Sequence, residues 1–451
     1  MEDYGEIPRE KELLHDAVRI AWPSVLESLA INLTGVVDTI MVGTLGTAAI
    51  AAVGLTTQPK LLILAPFMAL NVAVSSIVAR RKGENNPNSA NRILRMALIL
   101  TISLTVVMTI LGIALAEPLL LLVGAQTDTL NDATGYFQII MAGNLFTTLS
   151  LTINGAQKGI GNTRITLVTN MISNGVNVVF NYLLIGGNFG FPALGVRGAA
   201  IATVVGTVFG CVLSIFSVSR RGGFLSLWSL KGWIADKISI RSMLKVGFSA
   251  LVEQICMRIG FLLFVMTVAN LGTVEMAAHQ IGMNMMSISF SIGDGLSVAA
   301  VTLIGQSLGR KRPDLAKIYG SIAQRIGLIC ALFISIIYIL WGRQIFHAFD
   351  SNPVVMDYGA VIMRILSLLL ILQIEQVVQF GCLRGAGDTM FTAVISLISV
   401  TLIRPGMSFL FCYPLGFGLI GAWIGTVCDQ LVRFILSYIR FKKGKWVMLK
   451  L

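Results

Sequence analysis

Charge is scarce: Asp, Glu, Lys and Arg make up only 12% of the 451 residues, and histidine occurs three times. A soluble domain of ordinary usage carries about 25% charged residues, so this chain cannot clothe an aqueous surface of normal size. His15, His279 and His347 are scattered, which leaves a membrane-embedded enzyme of the HExxH or GxSxG kind without the histidine constellation it needs. We therefore expect no enzyme. The six cysteines (Cys211, Cys256, Cys330, Cys382, Cys412, Cys428) fall in apolar stretches, with neither CxxC nor Cys/His zinc spacing, so no disulfide framework and no metal centre is implied. The opening MEDYGEIPREKELLHD lacks the basic start of a cleaved signal peptide, so the first apolar run is expected to stay as a spanning helix.

What the chain has in excess is apolar length. Hydrophobic residues make up 55%, and the mean hydropathy is +0.81. Twelve apolar runs are long enough to cross a bilayer: 17–43, 48–78, 92–116, 133–157, 163–186, 195–219, 242–270, 275–306, 318–342, 354–383, 389–415 and 418–440. Pro23, Pro59, Pro66 and Pro405 fall inside runs and predict bends. The fold class expected is an all-α polytopic membrane protein.

The formal net charge of +12 sits in short clusters between the runs, which suits lipid orientation better than nucleic acid. Lys and Arg crowd the loops after even-numbered spans (Arg80, Arg81, Lys82; Arg310, Lys311, Arg312; Arg384) and the tail (Arg440, Lys442, Lys443), whereas the opposite side has only Arg197 and Arg343. Both termini are expected on the cytoplasmic side of a cell (inner) membrane.

Laid on itself with a shift of 226, the chain repeats. Leu45-Gly46-Thr47 meets Leu271-Gly272-Thr273, Gly83 and Pro87 meet Gly309 and Pro313, and Gly159-Ile160-Gly161-Asn162-Thr163 meets Gly385-Ala386-Gly387-Asp388-Thr389. Past a three-residue deletion, Gly198-Ala199 meets Gly421-Ala422. Two halves of six crossings share an orientation, so the duplication is parallel, as in secondary transporters. The expected domains are an N-terminal lobe at 1–219, a cytoplasmic linker at 220–241 and a C-terminal lobe at 242–451.

Ionisable groups inside spans cost about 2.5 to 3.5 kcal/mol each on insertion scales, so they mark either structural pairs or function. Glu253 and Arg258 stand inside the seventh run: the choice is a buried ion pair that locks helices or a cation site. Counted by depth, Glu253, Asp294, Glu375 and Asp429 share one layer, with Arg258, Arg404 and Arg433 within a few turns. Asp429 with Arg433 is an i, i+4 pair that suits a structural role, and Asp294 between two glycines is open to either. Glu253 and Glu375 are the coupling candidates, because carboxylates sharing a site make a proton or cation exchangeable. Asp38, Asn181 and Thr203 form a second layer near the outer ends of their spans. Asn177 and Asn181 share a helix face, and their amides either ligate a hard cation, bond a protonated Asp38 or clasp two helices. Met283, Met285, Met286 and Phe290 suit an adaptable wall or plain core. Glu27, the repeat equivalent of Glu253, and Lys60 carry no assignment.

These residues resemble the multidrug and toxic compound extrusion (MATE) transporters, in the NorM-type branch. The resemblance rests on Pro23, Asp38 and Val42-Gly43 in the first span, the two GxG(N/D)T turns at 159–163 and 385–389, Ala277-Ala278-His279-Gln280, and the carboxylates of the seventh and tenth spans. It implies a V-shaped pair of six-helix bundles working by alternating access, exporting cationic amphipathic compounds against entry of H+ or Na+. It also implies cation coupling at Glu253, Glu375 and Asp38, with Asn177, Asn181 and Thr203 on the polar site, and Asp294, Gln280 and Met286 are the further candidates we expect on the substrate site. No cofactor is expected beyond the coupling ion, Na+ would sit at Glu253 and Glu375, and a monomer working among membrane lipids is the expected state. Two positions depart from the family pattern: Asn181 stands where some archaeal members have a second carboxylate, and Ile371 stands where NorM-type members have a tyrosine one turn before the tenth-span acid. The second departure makes a Na+ cage harder to complete and favours H+. A lipid-linked oligosaccharide flippase of related architecture is the alternative, against which the buried acids speak.

Overall fold

The computed structural model describes residues 6–127, 129–220, 222–228, 237–347 and 353–449. Among them no strand occurs, as expected of a chain that must satisfy every backbone group within its own segment inside lipid. The helices are α1 (Glu10–Gly43), α2 (Thr47–Gly83), α3 (Pro87–Ala114), α4 (Ala116–Leu122), α5 (Leu130–Ala142), α6 (Asn144–Gly159), α7 (Thr163–Gly186) and α8 (Gly195–Ser219). They continue as α9 (Lys237–Ala269), α10 (Thr273–Gly309), α11 (Pro313–His347), α12 (Pro353–Ala386), α13 (Thr389–Ile398), α14 (Arg404–Cys412) and α15 (Gly418–Lys443). Among the described residues ten helical stretches are long and apolar enough to cross a membrane, and α5 with α6, bent by 50°, makes an eleventh. The remaining expected crossing is α7, 24 residues long, whose Asn170, Asn174, Asn177 and Asn181 lower its hydropathy.

The breaks do not fall where the prolines alone predict. Pro23 lies inside an unbroken α1, and Pro59 and Pro66 inside an unbroken α2. The 50° break falls at Gly143, where a Cβ would come 2.5 Å from Val204. Pro405 does leave a mark: a π-helical turn, Ser399–Ile403, separates α13 from α14. A proline ring removes one backbone donor and crowds the preceding turn, and the wider π turn gives it room.

The internal repeat is written into the backbone. Gly46 and Gly272, which start α2 and α10, have φ of 112° and 144°, a region costly for any side chain. Asn85 and Lys311, between the paired Gly83/Pro87 and Gly309/Pro313, turn left-handed at φ 51° and 58°. Gly161 and Gly387 both have φ 87°, and past the three-residue deletion Gly195 and Gly418 have φ 55° and 53°. Close helix contacts repeat as well. A Cβ on Gly385 of α12 would fall 2.6 Å from Val301 O of α10, and one on Gly159 of α6 would fall 2.6 Å from Ser75 O of α2. Small residues at these crossings let backbones touch, which is how helices associate where lipid gives no hydrophobic drive. The halves differ where α5 and α6 break and where α13 loosens into its π turn.

The chain packs as two compact units, Met1–Ser28 with Phe248–Leu451, and Leu29–Gly247. The lobes expected at 1–219 and 242–451 follow the order of the chain, whereas packing cuts it at 28 and 247. The first turns of α1 join the later helices because Gly295 of α10 has no side chain where Val25 passes: a Cβ there would lie 2.5 Å from Val25 Cα. Leu13 and Ala17 pack with Leu303, Leu315, Tyr319 and Ile322, and Tyr319 donates to Asp16 at 3.3 Å. Of the linker at 220–241, residues 221 and 229–236 lie outside the described residues. Its segment 222–228 is docked on α3: Asn91 accepts from Ser226 N at 2.7 Å, and Leu225 is buried.

Candidate functional site

In the 29–247 unit the expected outer polar layer assembles. α7 and α8 run against each other because Gly206 leaves space where a Cβ would fall 2.6 Å from Ser173 O. This closeness sets Asn177 and Asn181, one turn apart on α7, beside Thr203 of α8 and Asp38 of α1. Asn181 Nδ2 donates to Asp38 Oδ1 at 2.7 Å. The Asn177 amide, oriented to satisfy its neighbours, donates to the same oxygen at 2.8 Å and accepts from Thr203 N at 3.2 Å. Both asparagines are buried, and Asn181 Oδ1 has no hydrogen-bond partner. An orphaned amide oxygen beside a carboxylate whose Oδ2 is unengaged gives the set room for a cation or a proton. Lys60 of α2, unassigned from sequence, interacts with Asp38 through charge without a direct bridge.

In the unit holding 248–451, the four acids expected in one layer sit in four different surroundings. Glu253 of α9 is buried and ion-paired with Arg384 Nη2 at 2.5 Å, and Thr392 Oγ1 donates to its Oε2 at 3.1 Å. Its neighbour in sequence, Arg258, takes no part: five positions put it about 140° around the helix. Asp429 of α15 is fully enclosed by Arg404 at 2.5 Å, Arg433 at 2.8 Å and Ser399 Oγ at 2.6 Å. Phe261 stacks on the Arg404 guanidinium at 4.6 Å. Asp294 of α10 accepts from Ser28 Oγ at 3.4 Å.

Glu375 of α12 differs from all three. It is buried, Gly327 of α11 lies against it such that a Cβ would fall 3.1 Å from Oε1, and that oxygen has no hydrogen-bond partner. The expected sharing of one site by Glu253 and Glu375 is not what the structure shows. Arg384, which holds Glu253, is nine positions beyond Glu375 on α12, about half a turn round, so the two carboxylates address opposite faces of that helix.

Two matches to a family model span most of the chain, MatE at residues 23–183 and again at 250–410. Their starting points reproduce the 226-residue repeat to within one position.

The chain belongs to the MatE family.

This MatE chain is 27% identical over 446 residues to the probable multidrug resistance protein NorM of Thermotoga maritima, covering 98% of this chain and 95% of that protein. It shares its fold with the crystal structure of MATE in the bent conformation (TM-score 0.88, 22% identity, 98% of this chain and 99% of that one). An outward-facing multidrug resistance MATE family transporter of the MOP superfamily superposes equally well (TM-score 0.89, 22% identity, 98% and 100%).

Within this MatE fold two further expectations change. Met286 is not a wall residue: it lies in a core with Met285, Tyr338 and Leu366, because its face of α10 packs on α11 and α12. Gln280 is exposed, whereas His279 beside it is enclosed by Phe264 and Trp423. A GxSxG pentapeptide does occur at Gly305–Gly309, but it runs inside α10, where Ser307 Oγ donates to Leu303 O at 2.7 Å, and forms no nucleophile elbow. Sequence reasoning missed Arg384 as a site residue by counting it among loop charges. The signal available was the GAGDT turn that follows it, which returns the chain at once into α13 and so places Arg384 and Thr392 on either side of one carboxylate.

Proposed function

We propose that this protein exports cationic amphipathic compounds from the cell by antiport against an entering cation, H+ rather than Na+. It works as a monomer in the cell (inner) membrane through alternating access, with both termini cytoplasmic. Family membership supports transport, and the multidrug resistance name of the Thermotoga relative supports the class of cargo.

The observation that carries the choice of ion is Glu375. A carboxylate buried against Gly327 without a donor on Oε1 is costly while charged and unpaired. A proton relieves that cost with one oxygen, whereas Na+ needs about five or six, and Ile371 one turn away supplies none. Asp38 with its two asparagines is the second group whose proton can exchange. Loading and unloading such acids differs between lobe arrangements, and that difference is what biases one over the other.

Everted vesicles test the proposal. Adding a cationic drug should release protons through the wild type, and neither Glu375→Gln nor Asp38→Asn should release them. Efflux driven by a Na+ gradient at fixed pH with no proton movement would show the coupling ion to be Na+.

A further inference from the structure

Arg258 of α9 stands inside a span with its head uncommitted. Among the described residues its guanidinium makes no hydrogen bond or ion pair, and Nε is enclosed without a partner although the side chain as a whole is half-buried. An arginine at such a depth is costly unless it meets a counter-charge. It lies eleven positions before the end of α9 at Ala269, about 16 Å, which is farther than its side chain extends toward the lipid headgroups. Glu253, the acid nearest in sequence, is already paired with Arg384. Gln254, one turn before Arg258, is half-buried as well. The next helix offers a matching face, since Gln280, Asn284 and Ser287 of α10 are all exposed. Where α9 and α10 touch, the rings of Phe264 and His279 are 5.0 Å apart. Counted from that contact, Gln254 and Arg258 lie about 80° and 120° round α9, and Gln280, Asn284 and Ser287 lie about 80° to 140° round α10. Equal turns on antiparallel neighbours come out on the same side of the pair. The depths agree too: Arg258 is about 9 Å from the contact along α9, and Asn284 and Ser287 are about 8 and 12 Å from it along α10. Polar side chains left exposed at this level of a span face water rather than lipid.

We propose that Arg258, with Gln254, Asn284 and Ser287 around it, is a carboxylate-binding subsite, so that the preferred cargo is an amphipathic zwitterion carrying a carboxylate as well as a positive charge. This inference rests on the export proposed above and narrows its cargo. A guanidinium presents a planar fork of donors that matches the two oxygens of a carboxylate, and charge-assisted bonds of this kind are the strong ones. The two amides and the hydroxyl add further donors, and none of them brings a negative charge that would repel the anion. Half-buried Asp294, seven positions past Ser287 and about 60° round α10 from the His279 contact, puts the opposite charge on the same face. The repeat does not copy the subsite. Ser28 and Asn32 stand at the α1 positions that match Gln254 and Arg258, so the guanidinium belongs to the later half alone.

Tetramethylrhodamine and its methyl ester test the proposal, because the two dyes share a cation and differ only in a carboxylate against an ester. Their binding to the purified full-length protein in detergent is read by fluorescence polarisation. Arg258→Gln should weaken the zwitterionic dye about tenfold and leave the ester within about twofold of the wild type. Arg258→Lys, which keeps the charge and loses the fork, should recover part of the difference. In the wild type, which needs no substitution to fold, phenylglyoxal should label Arg258, read by peptide mass spectrometry. The zwitterionic dye should block that labelling and the ester should not. Equal losses of both dyes, loss of neither, an Arg258 that never labels, or protection by both dyes alike would overturn the carboxylate subsite. Protection by phosphatidylglycerol and by neither dye would give Arg258 to a lipid headgroup and overturn it as well. A wild type that binds neither dye would overturn the cargo class proposed above along with the subsite. Binding is read without a gradient, so a failure of the proton coupling would not reach these results.

Discussion

Asn181 Nδ2 and Asp38 Oδ1, 143 positions apart in the chain, meet at 2.7 Å. The contact joins α7 to α1 and makes Asp38 the acceptor of two amide donors, with Asn177 the second. Asp38→Asn keeps the shape but cannot exchange a proton, so it should abolish drug export in cells lacking their own exporters while the purified protein stays monodisperse. Asn181→Ala removes one hydrogen bond worth about 1 kcal/mol, so export should fall roughly fivefold. Full export by Asp38→Asn at normal expression would make the cluster a helix clasp.

Asp429 predicts stability rather than transport. It is fully enclosed, and Arg404, which donates to its Oδ2 through both Nε and Nη2, is 1% exposed. Arg404→Ala removes two charge-assisted hydrogen bonds from a buried carboxylate, leaving it to Arg433 and Ser399, and empties the space the guanidinium fills, so it should lose about 2 to 3 kcal/mol, read as a clear drop in the melting temperature in detergent. Arg433→Gln, which gives up a single contact at 2.8 Å, should lose less. A wild-type melting temperature for Arg404→Ala would mean that water already reaches Asp429.

Glycine positions separate packing from flexibility. Gly295→Leu should unseat the first turns of α1, because even a Cβ would fall 2.5 Å from Val25. Gly175→Ala in α7 has nothing within 4 Å of its new methyl, and should gain up to about 1 kcal/mol from helix propensity. Thermal melts of the two variants should shift in opposite directions.

Orientation is open to a labelling test. Residues 84–91 and 311–316 are expected inside the cell, and 124–131 and 350–353 outside, with 128 and 350–352 beyond the described residues. In a background without the native cysteines, an impermeant thiol reagent on intact cells should label single cysteines at 126 and 353, and should spare those at 88 and 315. The opposite pattern would invert the termini.

The sequence by itself determined the features that a single position can enforce. A left-handed turn asks for particular residues wherever it occurs, so the paired Gly46 and Gly272, or Gly161 and Gly387, announced the repeat that the backbone then displayed at matching φ. Apolar length alone announced the spans, α7 among them, although its asparagines leave it the least apolar of the set. The residues of the Asp38 cluster were legible too, since two amides one turn apart must share a face.

Only the tertiary structure decided which face meets which. Arg384 looked like a loop charge because composition does not say where a long side chain points, and it turned inward to Glu253, 131 positions away. Glu253 and Glu375 looked like one site because depth was all that could be counted, and depth leaves out the half turn of α12 that separates them. The start of α1 left its own half of the chain for the helices after 248 because Gly295 admits it, and Met286 became core because α11 and α12 close over it. Local backbone demands are fixed residue by residue, whereas partners are chosen by rotation and close approach between helices far apart in the chain, and no single residue encodes those.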